Sequence, residues 1–214
     1  MATTDKRNGA GAFIAADFTN GELLSANCKK QVANGIAAIL AAVGDRVDFE
    51  GTADTPRRVA NMYDELLAGY AMEPRDLLNN ALFNVEYDEM VIVKDIDFYS
   101  LCEHHLLPFY GQAHVGYLPA KKVVGLSKIP RLVDMFARRL QVQERMTQEI
   151  AGLIDELIAP KGVGVVVEAS HLCAAMRGVK KPGTIMTTSA VRGSFKTNPS
   201  TREEFMSHVR GNVR

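Results

Sequence analysis

Ser100-Leu101-Cys102-Glu103-His104-His105-Leu106-Leu107-Pro108-Phe109 places one thiol and two imidazoles between two apolar runs. Upstream, Val91, Ile92, Val93, Ile96 and Phe98 make Met90 to Phe98 read as a strand, and downstream Gly111 to Leu118 reads as a second. The quoted stretch is then the turn between them. Cys102 and His105 have the C-x2-H spacing that lets two side chains reach one metal ion from a tight turn. One cysteine follows, Cys173, in Ser170-His171-Leu172-Cys173. Cys102, His105 and Cys173 would make a three-ligand set, with water in the fourth tetrahedral position. Structural zinc sites close all four positions with protein, whereas catalytic sites keep one open, so the count favours an enzyme over a zinc finger. The competing reading is buried core thiols, since free cysteine is among the most buried residue types. Cys28, with no such neighbours, reads that way.

Working outward, Val32, Ile36, Ile39, Leu40 and Val43 have helical spacing over Lys29 to Val43, and Gly44 ends the segment. Thr55-Pro56 starts a second helix, with Thr55 as cap and Val59, Met62, Tyr63, Leu66 and Leu67 on its apolar face. After the two strands, Ile129, Leu132, Val133, Phe136 and Leu140 step by three and four. The stripe then slips and resumes in a new phase at Met146, Ile150, Leu153, Ile154 and Leu157, which predicts two helices joined near Gln143 and Glu144. Val163 to Ala169 is a β-branched run expected to be a buried strand, and Thr184 to Ser194 a last one. Ser200-x-x-Glu203 reads as a capping box for a C-terminal helix. The class is α+β, in the order α-α then β-β-α-α-β-β. The expected organisation is a mobile tail over residues 1–28, a helical region over 29–88, and a catalytic region over 89–214.

Twenty-five basic and 25 acidic residues cancel in the 214-residue chain, so no global field points to nucleic acid or an anionic membrane. An anionic ligand must therefore be met by a local cluster of charge. Three cysteines at irregular spacing make no disulfide framework and suit a reducing compartment. With a polar N-terminus and no apolar run near the ~20 residues that span a bilayer, the expectation is a cytoplasmic protein.

His104 and His171 each sit beside a proposed ligand, where an imidazole can transfer protons near neutral pH or merely orient that ligand. Ser127 is a plausible cap for a helix whose first turn carries Lys128 and Arg131, a place where backbone N–H groups favour anions. Arg177-Gly178-Val179-Lys180-Lys181 follows the last cysteine. Together these cations suit several phosphates, and a solvated charged face is the alternative. The solvated reading fits Arg138, Arg139 and Arg145. Glu144, beside Gln143, could accept the paired N1–H and 2-amino donors of guanine, or be an ordinary helix-start carboxylate.

Taken together, Cys102-Glu-His-His105, Gly125-Leu-Ser-Lys-Ile129, Gln141-Val-Gln-Glu-Arg145 and His171-Leu-Cys173 with Arg177-Gly178 closely resemble GTP cyclohydrolase I. Thr55-Pro-Arg-Arg-Val59 and the segment Asn198 to Phe205 match too, and the resemblance covers roughly Lys29 to Val209. It implies conversion of GTP to 7,8-dihydroneopterin triphosphate and formate, first in folate or tetrahydrobiopterin synthesis. It implies zinc on Cys102, His105 and Cys173, with His104 and His171 as active-site histidines and Ser127 joining His171 in proton transfer at the sugar. Glu144, with Gln143 beside it, matches the guanine anchor, and Ser127, Lys128, Arg131, Arg177 and Arg58 match the triphosphate contacts. The implied architecture is the tunnelling fold, an antiparallel ββααββ unit with an N-terminal helical layer. Chains of the family assemble as decamers of two pentamers, with active sites between subunits.

Overall fold

A computed structural model describes residues 23–78 and 81–211. The chain divides after Asp64 into two compact units. The N-terminal unit is helical, with α1 (Ala26–Val43), α2 (Phe49–Thr52) and the start of α3 (Thr55–Leu66). The Ser25 side chain caps α1 by accepting from the Cys28 N–H, and Gly44, at φ 70°, ends it. That cap starts α1 three residues before Lys29, within the stretch read from sequence as a tail; residues 1–22 of that stretch lie outside the described residues. Lys29 pairs with Asp64 at 2.9 Å and ties α1 to α3.

The second unit contains α4 (Pro74–Leu78), β1 (Leu82–Asn84), β2 (Val91–Cys102), β3 (Pro108–Leu118), β4 (Lys122–Val124) and α5 (Lys128–Ala137). It continues with β5 (Leu140–Gln141), α6 (Gln143–Ile158), β6 (Gly162–His171), α7 (Leu172–Ala175), β7 (Met186–Gly193), α8 (Ser194–Thr197) and α9 (Pro199–Arg210). The architecture is mixed α/β. A five-stranded sheet has the order β5-β2-β3-β6-β7, and β1 pairs with β4 in a separate two-stranded ribbon. The four long strands pair antiparallel, while β5 adds two residues parallel to the end of β2. Among the described residues no helix is long and apolar enough to cross a membrane.

Side-chain alternation explains how the sheet is covered. Ile96, Phe98 and Ser100 of β2 are buried while Asp97 and Tyr99 face out, the period-2 pattern of a strand with one packed face. α5 packs on β2, and α6 on β6 and β7. Strand β6 is different, because Val163, Val165, Val166 and Val167 are all buried. Val163, Val165 and Val167 join the main core, and Val166 joins a second cluster with Phe195 of α8 and Phe205 of α9. Those two rings meet edge to face at 5.5 Å. Gly116 and Gly164, cross-strand partners in β3 and β6, give them room, since a Cβ at either would lie within 3.0 Å of an aromatic ring.

Three local features add to or differ from the sequence expectation. The strands β1, β4 and β5 are too short to show a period. The break between α5 and α6 falls before Gln143, because the chain runs through β5 alongside β2, so Gln143 and Glu144 open α6. The C-terminal helix is capped by Asn198, whose side chain accepts from the Ser200 N–H, with Pro199 in the first helical position. Proline's fixed φ suits that position, which moves the cap two residues ahead of Ser200.

His114 of β3 is 3% exposed. β2 carries a bulge between Val93 and Ile96, where Asp95 has φ 57°. The Asp95 N–H there donates to His114 Nδ1 at 3.1 Å, which holds the ring neutral. Nε2 has no hydrogen-bond partner among the described residues and lies 4.0 Å from the Glu168 carboxylate. Burial pushes the His114 pKa down, against the upward pull of Asp95 and Glu168; Lys94 lowers it further. With the folded pKa below the unfolded one, this contribution to stability is present above about pH 6.5 and lost as pH falls from there through the lower folded pKa.

Two measurements check this description. Phe205→Ala should cost about 3–5 kcal/mol in urea unfolding, as large-to-small aromatic changes in cores do. His114→Asn keeps an acceptor for the Asp95 N–H but cannot titrate. Its unfolding midpoint should therefore drop less than the wild type's between about pH 7.5 and about pH 5.5, and equal drops would remove His114 as the source.

Candidate metal centre

The turn that closes the β2–β3 hairpin is fixed by its own backbone. The Cys102 N–H donates to the Leu107 carbonyl at 2.9 Å, and the His105 and Leu106 N–H groups return to the Cys102 carbonyl at 3.3 and 2.8 Å. Leu106 takes φ 54°, an uncommon conformation for leucine that lets the chain reverse here. The result puts Cys102 Sγ 3.6 Å from His105 Nδ1 and 4.0 Å from His104 Nδ1. The third group arrives through strand pairing. Phe109, at the start of β3, lies opposite His171, at the end of β6, so Cys173 in the first turn of α7 comes to the hairpin turn. The ligand atoms of Cys102, His105 and Cys173 all lie within 4.8 Å of one another.

These residues fit a metal ion on two grounds. Tetrahedral ligation at ordinary Zn–S and Zn–N lengths separates sulfur from nitrogen by about 3.6 Å, the distance found between Cys102 and His105. Burial, then the neighbouring Cys102, push the Cys173 thiol pKa up, against the pull of its own backbone hydrogen bond and of Arg177. Two thiols that resist joint ionisation become a stable pair once a cation lies between them.

The imidazoles beside the ligands have different surroundings. His104 is exposed and lies 3.8 Å from the Glu103 carboxylate. His171 is half-buried, its ring stacked on that of Phe109 at 4.7 Å and 2°. Burial lowers the His171 pKa, and Glu144 pulls it back up, so Glu144 lies within electrostatic reach of that ring. Gln143 hydrogen-bonds His171 Nε2 through Oε1 at 2.8 Å. The structure therefore gathers Cys102, His104, His105, His171 and Cys173, with Gln143, Glu144 and Arg177 around them.

The other expected site residues are not drawn into this group by any hydrogen bond or ion pair among the described residues. Ser127 holds the N-cap position of α5 without a side-chain cap bond. Lys128 is 9% exposed in the first turn, while Arg131 is exposed. Arg58 belongs to the N-terminal unit, where it reaches Asp54 at 3.8 Å.

A brace behind the turn escaped the sequence reading. Arg145, read as solvated, forms an ion pair with Glu103, and its Nε donates to Gln141 Oε1 at 3.1 Å. The guanidinium holds the Glu103 carboxyl below the usual carboxylate range. The Glu103 N–H donates to the Gln141 carbonyl at 3.1 Å, and Gln141 Nε2 to Glu149 at 2.8 Å. The four-residue step from Gln141 to Arg145 was the available signal; the link to Glu103 crosses 42 positions and had none.

A mixed α/β chain that brings a Cys–His–Cys group able to hold a metal ion against two histidines has the arrangement of an enzyme site, and sequence comparison narrows the class. The family described as GTP cyclohydrolase I matches residues 32–210. A protein of Campylobacter jejuni named GTP cyclohydrolase 1 is 54% identical over 181 residues, 85% of this chain and 95% of that one. One of the same name from Leptospira biflexa is 54% identical over 177 residues, 83% and 97% of the two chains, and one from Deinococcus radiodurans 53% over 175 residues, 82% and 81%. The chain belongs to the GTP cyclohydrolase I family.

Cys173→Ser should abolish stoichiometric metal in the purified protein, measured by atomic emission, while Cys28→Ser should retain it. Full metal content in Cys173→Ser would break the proposed ligand set.

Proposed function

We propose that this protein is a zinc-dependent enzyme converting GTP and water to 7,8-dihydroneopterin triphosphate and formate, the first step toward folate or tetrahydrobiopterin. The observation that carries it is the meeting of Cys102, His105 and Cys173 beside His104 and His171, in a chain of this family. Family membership and the strand and helix order β2, β3, α5, α6, β6, β7 support the tunnelling fold, its ββααββ unit following helices that begin at Ala26. The same membership supports a decamer of two pentamers whose subunits share each site. Three free cysteines agree with a reducing cytoplasm.

Zinc on Cys102, His105 and Cys173 would supply Lewis acidity toward the water consumed at C8 of the purine. His104, protonated, gives its proton to N7, which makes C8 more electrophilic and readies the imidazole ring of the base to open. Formate leaves from the former C8. The ribose then opens, rearranges and closes the new six-membered ring, with His171 and Ser127 moving protons at the sugar. Glu144, beside Gln143, receives the N1–H and 2-amino group of guanine. Lys128, Arg131, Arg177 and Arg58 hold the triphosphate, so that substrate binding energy positions C8.

Purified protein incubated with GTP should release one formate per GTP and, after oxidation, a fluorescent pterin. Absence of both from metal-replete protein would reject the reading. His104→Ala should keep its metal and lose turnover by about 10²–10⁴-fold; full turnover would end its role as proton donor.

A further inference from the structure

Gln143 opens α6 but is 1% exposed, and its amide is fully engaged. Nε2 lies 3.0 Å from the Val167 carbonyl, 2.9 Å from the Met186 carbonyl and 3.1 Å from Thr188 Oγ1. A backbone carbonyl can only accept, so the end of the amide that faces two of them must be the NH2. The usual ambiguity between amide oxygen and nitrogen is thereby removed by chemistry. Oε1 is then the atom 2.8 Å from His171 Nε2, and an oxygen that only accepts requires a proton on that nitrogen. Phe109, fully buried and stacked on the ring, fixes the imidazole plane. His171 Nδ1 has no hydrogen-bond partner among the described residues, and the residue lines a cavity of about 350 Å³ with Ala174, Lys181, Thr184, Ile185 and Met186.

We infer that Gln143 is a positioning residue that locks His171 as the Nε2–H tautomer and so presents the Nδ1 lone pair to the substrate. The inference rests on the GTP reading above and assigns the atom that exchanges protons at the sugar. In that role Nδ1 takes a proton from the substrate, leaving an imidazolium whose Nε2–H still donates to Gln143 Oε1. Nδ1 then returns the proton to a later intermediate, so the ring ends as it began. A rotated ring, or the opposite tautomer, would offer the substrate a donor where the rearrangement needs an acceptor. Gln143 contributes through His171 and makes no side-chain contact with guanine; the base is left to Glu144.

The test is the ¹⁵N NMR spectrum of histidine-labelled, metal-loaded protein, with the His171 signals identified by their loss in His171→Asn. Wild type should show a protonated Nε2 and an unprotonated Nδ1, and a proton on Nδ1 overturns the inference without any variant. In Gln143→Met the two tautomers should mix. Its kcat for formate release should fall by at least about 10-fold, with KM for GTP within about three-fold, because the oriented partner and not the binding contact is lost. A rise in KM matching the whole loss of kcat/KM would make Gln143 a direct substrate contact and overturn the inference, as would unchanged kcat. Failure of wild type to turn over GTP would sink the functional reading alone, because the tautomer is read from the spectrum without substrate.

Discussion

The pairing of β3 with β6 sets the position of every group in the candidate centre. Phe109 opposite His171 is the last step of a ladder that begins with Leu118 opposite Gly162. Strand side chains alternate between faces, so a slip of one residue would turn His171 to the other side of the sheet and carry Cys173 away from the hairpin turn. Glycine helps to hold the register. A Cβ at Gly111 would fall 1.9 Å from the Glu168 carbonyl oxygen, so the strands could not approach this closely with any other residue there. Farther along, Gly116 and Gly164 accept the rings of Phe205 and Phe195, which a shifted register would meet with side chains. The distance between two sulfurs is thus decided by contacts well outside the metal turn.

α6 then connects the two halves that the register brings together. Its first turn carries Gln143, bonded to His171, and Arg145, paired with Glu103 in the ligand turn. The two-residue strand β5 leads into the same helix, with Leu140 opposite Leu101 and Gln141 opposite Cys102. Turn, helix and the end of β6 are therefore tied to one another by these bonds. Each buried amide bond of Gln143 contributes about 1 kcal/mol net, but leaving one of its partners unsatisfied costs about 1–3 kcal/mol, so the arrangement resists partial rupture.

The meeting of Cys102, His105 and Cys173 was legible because C-x2-H is a local spacing and Cys173 was the sole downstream thiol. The long strands and α5 and α6 were legible because each repeats its period several times. Boundaries set by a single hydrogen bond were less so: the Ser25 cap on α1 and the Asn198 cap on α9 both lie outside the apolar pattern used to find those helices. The α5–α6 break showed as a change of phase, but its place was decided by β5 joining the sheet, a long-range pairing. Arg139 and Arg145 looked like solvated charge. Arg139 instead donates to the carbonyls of Gly69 and Met135, with its guanidinium over the rings of Tyr70 and Phe136. Partners 42 or 70 positions away leave no mark on local sequence.

This division of the cations bears on how a chain of zero formal net charge could bind a polyanion. Arg145 is neutralised by Glu103, Lys29 by Asp64 and Lys161 by Asp88. Lys128, Arg131 and Arg177 make no ion pair with the described residues. Lys128 stands in the first turn of α5, where the backbone N–H groups favour an anion. Three of the four cations matched to phosphate, Lys128, Arg131 and Arg177, are thus ones for which these protein partners do not compete, while Arg58 reaches Asp54 at 3.8 Å and Arg139 and Arg145 are already committed to holding the chain. Local commitment of charge, and not its total, favours a triphosphate over an uncharged purine in the proposed reaction.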